Sequence, residues 1–280
     1  MTTSDLIRPK VAIFTPTQRP GFDVTWHSIR RQDCDADILW IVCDELLGKR
    51  RQVFESMTAP DREKYKTNVF WLPKKPGYKR NLARAYNTAM DIARDWEAHM
   101  FISLQDYIYV PEDGVSKFMQ MYQDIQLNLD APAIYTGITS ISADPGVETV
   151  HDREAMFSIF KESYDKRPEM IEWMDCRFKA DHPAQYQVVP AVEFETNWAC
   201  IPHEALYDEK LYFDEEYDKA VAYENQDYAF KAKSLNYEVL IDYDNQVISL
   251  PHKKYFAEEW AEEEPLTQTN RELCEGKWNA

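Results

Sequence analysis

Five short apolar segments, separated by segments with helical spacing, organise the first half of this 280-residue chain. They occupy residues 10–15, 37–43, 67–72, 100–104 and 133–139. Between the third and the fourth, residues 78–96 place apolar side chains at the 3.6-residue spacing of one helix face. Short buried strands that alternate with helices form a parallel sheet with helices on both faces. The sequence therefore predicts an α/β fold with a mostly parallel central sheet.

The alternation is interrupted after residue 140 and then resumes. Residues 141–186 are polar and aromatic, and we interpret them as an insertion beside the functional site, with a helix at 152–162. Further strands are predicted at 188–194, 237–241 and 246–250, and further helices at 22–32, 113–127, 202–207 and 222–235. Residues 257–280 carry five Glu between 258 and 264 and are predicted to form a peripheral acidic helix and tail. We therefore expect one domain, 1–256, in which the insertion separates the halves 10–140 and 187–256.

Charge is distributed unevenly along the chain, whose formal net charge is −17. Residues 1–110 contain 17 Lys and Arg against 14 Asp and Glu, a net of +3. Residues 111–280 contain 15 against 35, a net of −20. A mildly basic first half suits an anionic ligand such as a nucleotide. The acidic second half argues against a large nucleic-acid surface, which requires clustered Lys and Arg.

Cysteine usage and hydropathy indicate a cytoplasmic protein. The cysteines are dispersed, odd in number and form no C-x-x-C pair; they are Cys34, Cys43, Cys176, Cys200 and Cys274. This pattern is typical of free thiols in a reducing compartment. No signal-peptide pattern is present, and the longest apolar run, 38–43, is far too short to span a bilayer. We therefore expect a cytoplasmic protein without a membrane span.

The fourth predicted strand, 100–104, ends on the polar pair Gln105 and Asp106. In open α/β sheets, ligands bind at the carboxyl ends of the strands, so a buried strand that ends on a carboxylate is a candidate active-site strand. Neither G-x-G-x-x-G nor G-x-x-x-x-G-K-[ST] occurs in the chain. A nucleotide would therefore be bound by side chains at the strand ends rather than by a glycine-rich loop.

Four segments of the first half occur in a recognisable order. They are V-A-I-F-T-P-T-Q-R at 11–19, I-V-C-D at 41–44, K-R-N-L-A-R-A-Y-N-T-A at 79–89, and I-S-L-Q-D-Y-I-Y-V-P at 102–111. Together they make residues 10–140 similar to the nucleotide-sugar half of family 2 type glycosyltransferases, which have the Rossmann-like GT-A fold.

The second half, 187–256, resembles the acceptor and catalytic half of the same family. The matching segments are 195–204, 213–216 and 223–237, and the last of them also resembles chondroitin-polymerase-like and polypeptide GalNAc transferase-like enzymes. The resemblance covers about residues 10–252. It implies a GT-A domain whose insertion lies on the acceptor side.

The resemblance implies a nucleotide-sugar site at the strand ends. The residues that it assigns to this site are Thr15, Pro16, Thr17, Arg19, Asp44, Lys79, Arg80, Asn81, Gln105 and Asp106. Asp44 would accept hydrogen bonds from the base of the nucleotide. Lys79 and Arg80 would place two cations, together with the amide groups of a helix N-terminus, beside the diphosphate.

The same resemblance implies a divalent cation, Mn²⁺ or Mg²⁺, at Asp106. The family carries an acidic D-x-D-type cluster at this strand end, whereas this chain reads Gln105-Asp106-Tyr107. Mg²⁺ often needs only one or two carboxylates when phosphates and water complete its shell. We therefore expect a cation here, bound more weakly than by two carboxylates. His252 lies where some members supply an imidazole ligand; a surface histidine beside Lys253 is the alternative.

Two carboxylates on the predicted helix 222–235 are candidate general bases. The i, i+3 spacing of Glu224 and Asp227 places both on one helix face. A base takes the proton of the acceptor hydroxyl as it attacks the anomeric carbon. The family position that often carries this base is Asn225 here, so Glu224 is the first candidate and Asp227 the second. In a retaining enzyme, these carboxylates would bind hydroxyl groups instead.

Three residues are candidate contacts to the acceptor or the sugar, namely Asn197, Trp198 and Trp173. Aromatic faces stack on sugars, but in a chain with eight Trp, burial in the core is the alternative for the two tryptophans.

The sequence thus predicts a metal-assisted glycosyltransferase that moves a sugar from a nucleotide-diphosphate donor, UDP-linked, to a hydroxyl group of a glycan, protein or small molecule. One alternative is a non-catalytic protein that binds a nucleotide sugar or a partner through the same scaffold, because Asp106 stands without a second carboxylate. Another is transfer to a modified nucleic-acid base, against which the acidic second half argues.

Overall fold

The computed structural model describes most of the chain. The described residues are 8–17, 22–44, 48, 51–106, 108–128, 131–142, 171–174, 177, 184–220, 222–249 and 253–278. The predicted helix at 152–162 therefore lies outside them, as do Arg19, Tyr107, Cys176 and His252. No helix within these ranges combines the length and the apolar character that a bilayer span requires.

Strands and helices alternate along the first half of the chain. The strands are β1 Lys10–Thr17, β2 Asp37–Asp44, β3 Tyr65–Phe70, β4 Met100–Leu104, β5 Ile108–Tyr109, β6 Ala133–Ser142, β7 Ile171–Met174, β8 Tyr186–Val188, β9 Trp198–Pro202 and β10 Glu238–Ser249. The helices are α1 Phe22–Arg30, α2 Arg51–Thr58, α3 Leu82–Asp95, α4 Gly114–Asn128, α5 His203–Leu206, α6 Glu224–Ser234 and α7 Lys253–Trp278. Short 3-10 helices lie at Ala59–Asp61, Ala191–Glu193 and Glu215–Lys219.

The strands form one sheet in the order β3-β2-β1-β4-β9-β6-β10-β5, with β7 added to β6 and β8 added to β10. β3, β2, β1 and β4 are parallel to one another, and β6 is parallel to β10. β9 runs antiparallel between β4 and β6. The predicted α/β fold with a mostly parallel central sheet is thereby confirmed.

The central strands are buried on both faces, as expected for a sheet covered by helices on each side. Successive side chains of a strand point to opposite faces. Ala12 and Phe14 of β1 therefore join the hydrophobic cluster that contains the inner face of α3. Val11 and Ile13 join the second cluster, to which α1 contributes Trp26 and α4 contributes Phe118.

Element boundaries differ from the prediction in the second half. Residues 188–194, predicted as one strand, contain the end of β8 and a 3-10 helix, because Pro190 lacks the amide hydrogen that would continue a ladder. β9 was not predicted. The predicted strands 237–241 and 246–250 are a single strand, β10, whose register with β6 shifts between Ile241 and Gln246.

Gly137 of β6 occupies a position with no room for a side chain. A Cβ atom there would lie 2.4 Å from Cδ1 of Trp198 and 2.5 Å from the backbone oxygen of Asn245. We expect Gly137→Ala to lower the free energy of unfolding by about 3 kcal/mol, since overpacking a rigid site forces backbone shifts. Gly276→Ala is the control, because a Cβ atom there meets nothing within 4 Å. Urea unfolding of both variants measures this, and equal stabilities would contradict it.

Candidate active site

The carboxyl ends of β1, β2 and β4 lie at one edge of the sheet, since these strands are parallel and adjacent. Thr17 and Asp44 are register partners at this edge, and both are fully buried. Thr15 is also buried, and its Oγ1 accepts a hydrogen bond from Trp40 Nε1 at 3.1 Å. The hydroxyl of Thr15 is therefore hydrogen-bonded within the core. Thr17 and Asp44 are the last residues of β1 and β2 and lie side by side at the carboxyl ends of these strands.

Gln105, which follows β4, is held by a buried hydroxyl network. Its Nε2 donates to the hydroxyl of Tyr86 at 3.2 Å, and the same hydroxyl lies 2.6 Å from Oγ of Ser103. Ser103 in turn donates to the backbone oxygen of Thr196. Burial raises the pKa of Tyr86 far above its usual range, so this phenol stays neutral. The network links β4, α3 and the segment before β9, and fixes the amide of Gln105.

The strand end suits a cation that shares its ligands with a diphosphate. Asp106 is 1% exposed and Gln105 is half-buried. Their carboxylate and amide oxygens are hard donors, and Mg²⁺ takes one or two carboxylates together with phosphates and water. Within the described parts of the chain, no three His, Cys, Asp or Glu side chains are grouped so that they could hold a metal alone. Asp106 and Gln105 thus fit a substrate-shared cation and not a cage built from protein ligands.

The N-terminus of α3 differs from the sequence prediction. The helix begins at Leu82 rather than at Tyr78. The carboxylate of Asp218 accepts hydrogen bonds from the amides of Ala83 at 2.9 Å and Arg84 at 3.1 Å. Two of the amides at the observed N-terminus of α3 are therefore capped by the protein itself.

The segment before α3 is also fixed by Asp218, through its backbone. The backbone oxygen of Asp218 accepts from the amides of Lys79 and Arg80, each at 2.9 Å. Lys79 is exposed and Arg80 is half-buried. Asn81 is buried, and its Nδ2 donates to the backbone oxygen of Leu72 at 3.0 Å. The backbone of Lys79 and Arg80 is thus fixed by Asp218, and the side chain of Asn81 binds the local backbone.

Glu224, the first residue of α6, is a half-buried carboxyl with a shifted pKa. Burial raises its pKa to about 7, the charges of Asp218 and Glu195 add to the rise, and its backbone amide and Arg80 oppose it. The charge of Glu224 also acts on Tyr86, the phenol bound by Gln105. The candidate base therefore lies among the side chains that follow β4 and precede α3. A carboxyl that titrates near neutral pH is suited to take a proton.

Asn225 connects α6 to the segment before β9. It is 7% exposed, and its Nδ2 donates to the backbone oxygen of Phe194 at 3.1 Å and to Oε2 of Glu195 at 3.0 Å.

The sequence assigned no role to three residues of this region, namely Glu195, Asp218 and Tyr86. Glu195 begins one of the segments that resemble the family, so the sequence did contain a signal for it. The cap formed by Asp218 could not be predicted in this way, because it depends on a contact between residues 135 positions apart in the chain.

Asp227, the second candidate base, has different surroundings from Glu224. It is fully buried, and its Oδ1 accepts hydrogen bonds from Lys277 Nζ at 2.7 Å, Trp278 Nε1 at 2.7 Å and Tyr217 at 3.3 Å. Its carboxylate thus faces the end of α7. Asp227, the second candidate after Glu224, is therefore held by α7 through these hydrogen bonds.

The three candidate acceptor contacts have different outcomes. Trp198 is 1% exposed, donates from Nε1 to Asn245 at 2.9 Å and packs on Phe118. It therefore belongs to the core, which was the alternative to a sugar contact given for the tryptophans. Asn197 is half-buried beside the strand end, and its backbone oxygen accepts from the amide of Gln105 at 3.3 Å. Trp173 lies on β7 opposite Ile141, and its side chain is outside the described residues.

Comparison with known proteins gives matches in structure alone. No family model and no curated protein matches the chain. The mannosyltransferase PcManGT from Pyrobaculum calidifontis, in complex with GDP-Man and Mn²⁺, aligns with 90% of this chain at a TM-score of 0.54 and 13% identity. GalNAc-T7 with UDP, GalNAc and Mn²⁺ aligns with 88% at a TM-score of 0.55 and 11% identity. The chain spans 60% and 45% of the length of those two proteins. The predicted GT-A fold is confirmed: this chain has the fold of nucleotide-sugar glycosyltransferases.

Proposed function

We propose that the protein is a glycosyltransferase that moves a sugar from a nucleotide-diphosphate donor, UDP-linked, to a hydroxyl acceptor with the help of Mn²⁺ or Mg²⁺. The observation that carries this proposal is the Glu224 carboxyl, whose pKa is raised to about 7 and which lies among side chains that follow β4 and precede α3. The fold supports it, since both neighbours are named glycosyltransferases and were solved with Mn²⁺.

The proposed chemistry is a single displacement at the anomeric carbon. The acceptor oxygen forms a bond to this carbon while its proton passes to the Glu224 carboxylate. The bond between the anomeric carbon and the diphosphate oxygen breaks, and the nucleoside diphosphate leaves with the electron pair. Such a step inverts the configuration at the sugar, and a positioned base accounts for about 10²–10⁴-fold of its rate.

The other side chains of the site have supporting roles in this proposal. Lys79 and Arg80 offset the negative charge that develops on the leaving diphosphate. Asp44, with Thr17 beside it, accepts hydrogen bonds from the base of the nucleotide. A divalent cation held by Asp106 and Gln105 would supply further charge neutralisation on the diphosphate.

Asp106→Asn tests the proposed function, because it removes the charge of this carboxylate and keeps its shape. We expect Mn²⁺ to tighten the binding of UDP to the wild-type protein at least about tenfold, and Asp106→Asn to abolish this gain, since a neutral amide is a weak ligand for a hard cation. Isothermal titration of UDP with and without Mn²⁺ measures it. Asp91→Asn, at an exposed position of α3, is the matched control.

Two results would count against this prediction. Wild-type protein that binds none of a panel of nucleotides and nucleotide sugars, judged by thermal shift, contradicts a donor site altogether. A Mn²⁺ effect that persists unchanged in Asp106→Asn contradicts the assignment of the cation to this residue.

A non-catalytic binding protein is the second candidate function. The single carboxylate at the end of β4 favours it, because the family that the sequence resembles carries an acidic D-x-D-type cluster at this strand end. Donor binding without any hydrolysis or transfer, across several donors and divalent cations, would select this alternative. Turnover of any nucleotide sugar would exclude it.

A further inference from the structure

Two consecutive residues with left-handed backbone directly precede Glu224. Ala222 has a φ angle of 66° and Tyr223 one of 71°, and neither is glycine. Residues with a Cβ atom adopt this conformation at a cost in free energy, so it persists only where surrounding contacts impose it. The contacts that hold this turn therefore also decide where Glu224, the next residue, is directed.

Asn270 of α7 makes the contacts that join this turn to the rest of the site. It is 1% exposed, and its Nδ2 donates to the backbone oxygens of Tyr217 at 2.9 Å and Ala222 at 2.8 Å. Tyr217 precedes Asp218, the cap of α3. One buried amide group thus ties the turn before Glu224 to the segment that fixes the backbone of Lys79 and Arg80.

Arg271 supports the same turn from the surface. Its Nε donates to the hydroxyl of Tyr223 at 2.7 Å, and its guanidinium carbon lies 5.8 Å from the centre of the Tyr223 ring. The end of α7 contacts the first turn of α6, where Lys277 and Trp278 donate hydrogen bonds to Asp227. The C-terminal part of α7 therefore contacts both the turn before α6 and the first turn of α6.

We propose that α7 is a positioning element for the candidate base, in which Asn270 holds the left-handed turn that directs the Glu224 carboxyl toward Arg80 and Tyr86. This inference rests on the proposed role of Glu224. It assigns a function to a segment whose sequence predicted only a peripheral acidic helix and tail. Asn270 is a positioning residue and does not touch the substrate.

The charged groups that act on Glu224 come from three other parts of the chain. Asp218 lies in the 3-10 helix before the turn, Glu195 in the segment before β9, and Arg80 before α3. If the turn relaxes, Glu224 moves away from these groups and into water. Its titration therefore reports its position, with or without a substrate.

The test is a titration of the Glu224 side chain by carbon NMR in protein labelled at glutamate, with Glu224→Gln used to assign the signal. We expect Asn270→Ala to lower the pKa of Glu224 by at least about one unit, toward the ordinary value of about 4.3. Gln268→Ala is the matched control, since Gln268 is exposed on the same helix and donates to Glu272. In this control the pKa should stay at its wild-type value.

A glycine at position 222 provides a rescue that a general loss of stability would not show. Glycine adopts a positive φ angle without steric cost, and Ala222 is exposed, so its methyl group contributes no packing. We expect Ala222→Gly, added to Asn270→Ala, to restore at least about half of the lost pKa shift. A lower melting temperature alone would leave the pKa of Glu224 unchanged in both variants.

An unchanged pKa in folded Asn270→Ala overturns the inference, and so does a wild-type pKa already near the ordinary value. If Asn270→Ala does not fold, Arg271→Met is the deciding variant, because Arg271 is exposed and its replacement should not prevent folding. A pKa of Glu224 in Arg271→Met equal to that in the wild-type protein then overturns the inference. Failure of the proposed function is seen separately, as absent donor binding and turnover in the wild-type protein. Loss of turnover in Asn270→Ala with the affinity for UDP retained is the expected companion result.

Discussion

Replacement of Glu224 with glutamine is expected to lower the turnover of the nucleotide sugar about 10²–10⁴-fold while the affinity for UDP stays unchanged. Glutamine keeps the shape of the side chain but cannot accept the proton of the acceptor hydroxyl. The affinity should be preserved because the proposed function places Glu224 at the acceptor and the nucleotide at the ends of β1 and β2. Transfer or hydrolysis of the donor that gives the largest thermal shift measures turnover, and titration calorimetry measures the affinity.

Glu209→Gln is the matched control for this substitution, since it makes the same chemical change at an exposed carboxylate. It should leave turnover within about twofold of the wild-type value, as expected for a surface residue away from the site. If Glu224→Gln retained wild-type turnover, Glu224 would not be the base. A reaction that retains configuration would then become the better explanation.

The same substitution is expected to stabilise the protein above neutral pH. The pKa of Glu224 is about 7 in the folded protein, against about 4.3 when unfolded. The folded state therefore binds more protons between these values, and the free energy of unfolding decreases as pH rises through this window. Glutamine does not ionise, so Glu224→Gln should be more stable than the wild type by about 2 kcal/mol at about pH 8, after allowance for partial exposure. Urea unfolding should show a smaller difference at about pH 5, and an equal difference at both pH values would contradict the raised pKa.

The sheet could be predicted because its signal is local. The five apolar segments of the first half became β1, β2, β3, β4 and β6, within a few residues at their ends. Continuous burial of a central parallel strand produces an apolar run that needs no knowledge of the partner strand. β9 escaped prediction because its antiparallel position between β4 and β6 depends on contacts distant in sequence.

The candidate site was predictable only in part, and the residues show why. Glu224 and Asp106 stand in segments with family resemblance, so their positions could be read from the sequence. Their environments could not, since the pKa of Glu224 depends on burial and on the charges of Asp218 and Glu195, whose positions around Glu224 are set by the fold. The spacing of Glu224 and Asp227 made both of them candidate bases, because helical periodicity shows which residues share a helix face but not which element packs against that face.

The contact that holds Asp227 against α7 should also be one of the strongest in the protein. Lys277 Nζ lies 2.7 Å from Oδ1 of Asp227 and 3.0 Å from Oδ2 of Asp214. Asp227 is fully buried, and its Oδ2 has no hydrogen-bond partner. We expect Lys277→Met to lower the free energy of unfolding by about 3 kcal/mol, since it leaves a buried carboxylate without its counter-charge. Urea unfolding at neutral pH measures this loss.

A control and a second substitution decide whether the buried charge is the cause. Lys233→Met removes the exposed ion pair with Glu238 and should cost less than about 1 kcal/mol. Asp227→Asn added to Lys277→Met removes the unpaired charge, so the double variant should be more stable than Lys277→Met alone, which two independent losses would not produce. If the double variant is instead the least stable, the hydrogen bonds that Asp227 accepts from Trp278 and Tyr217 outweigh the cost of its charge. Recovery of stability in the double variant would mean that α7 is held on α6 chiefly by the ion pair between Lys277 and Asp227.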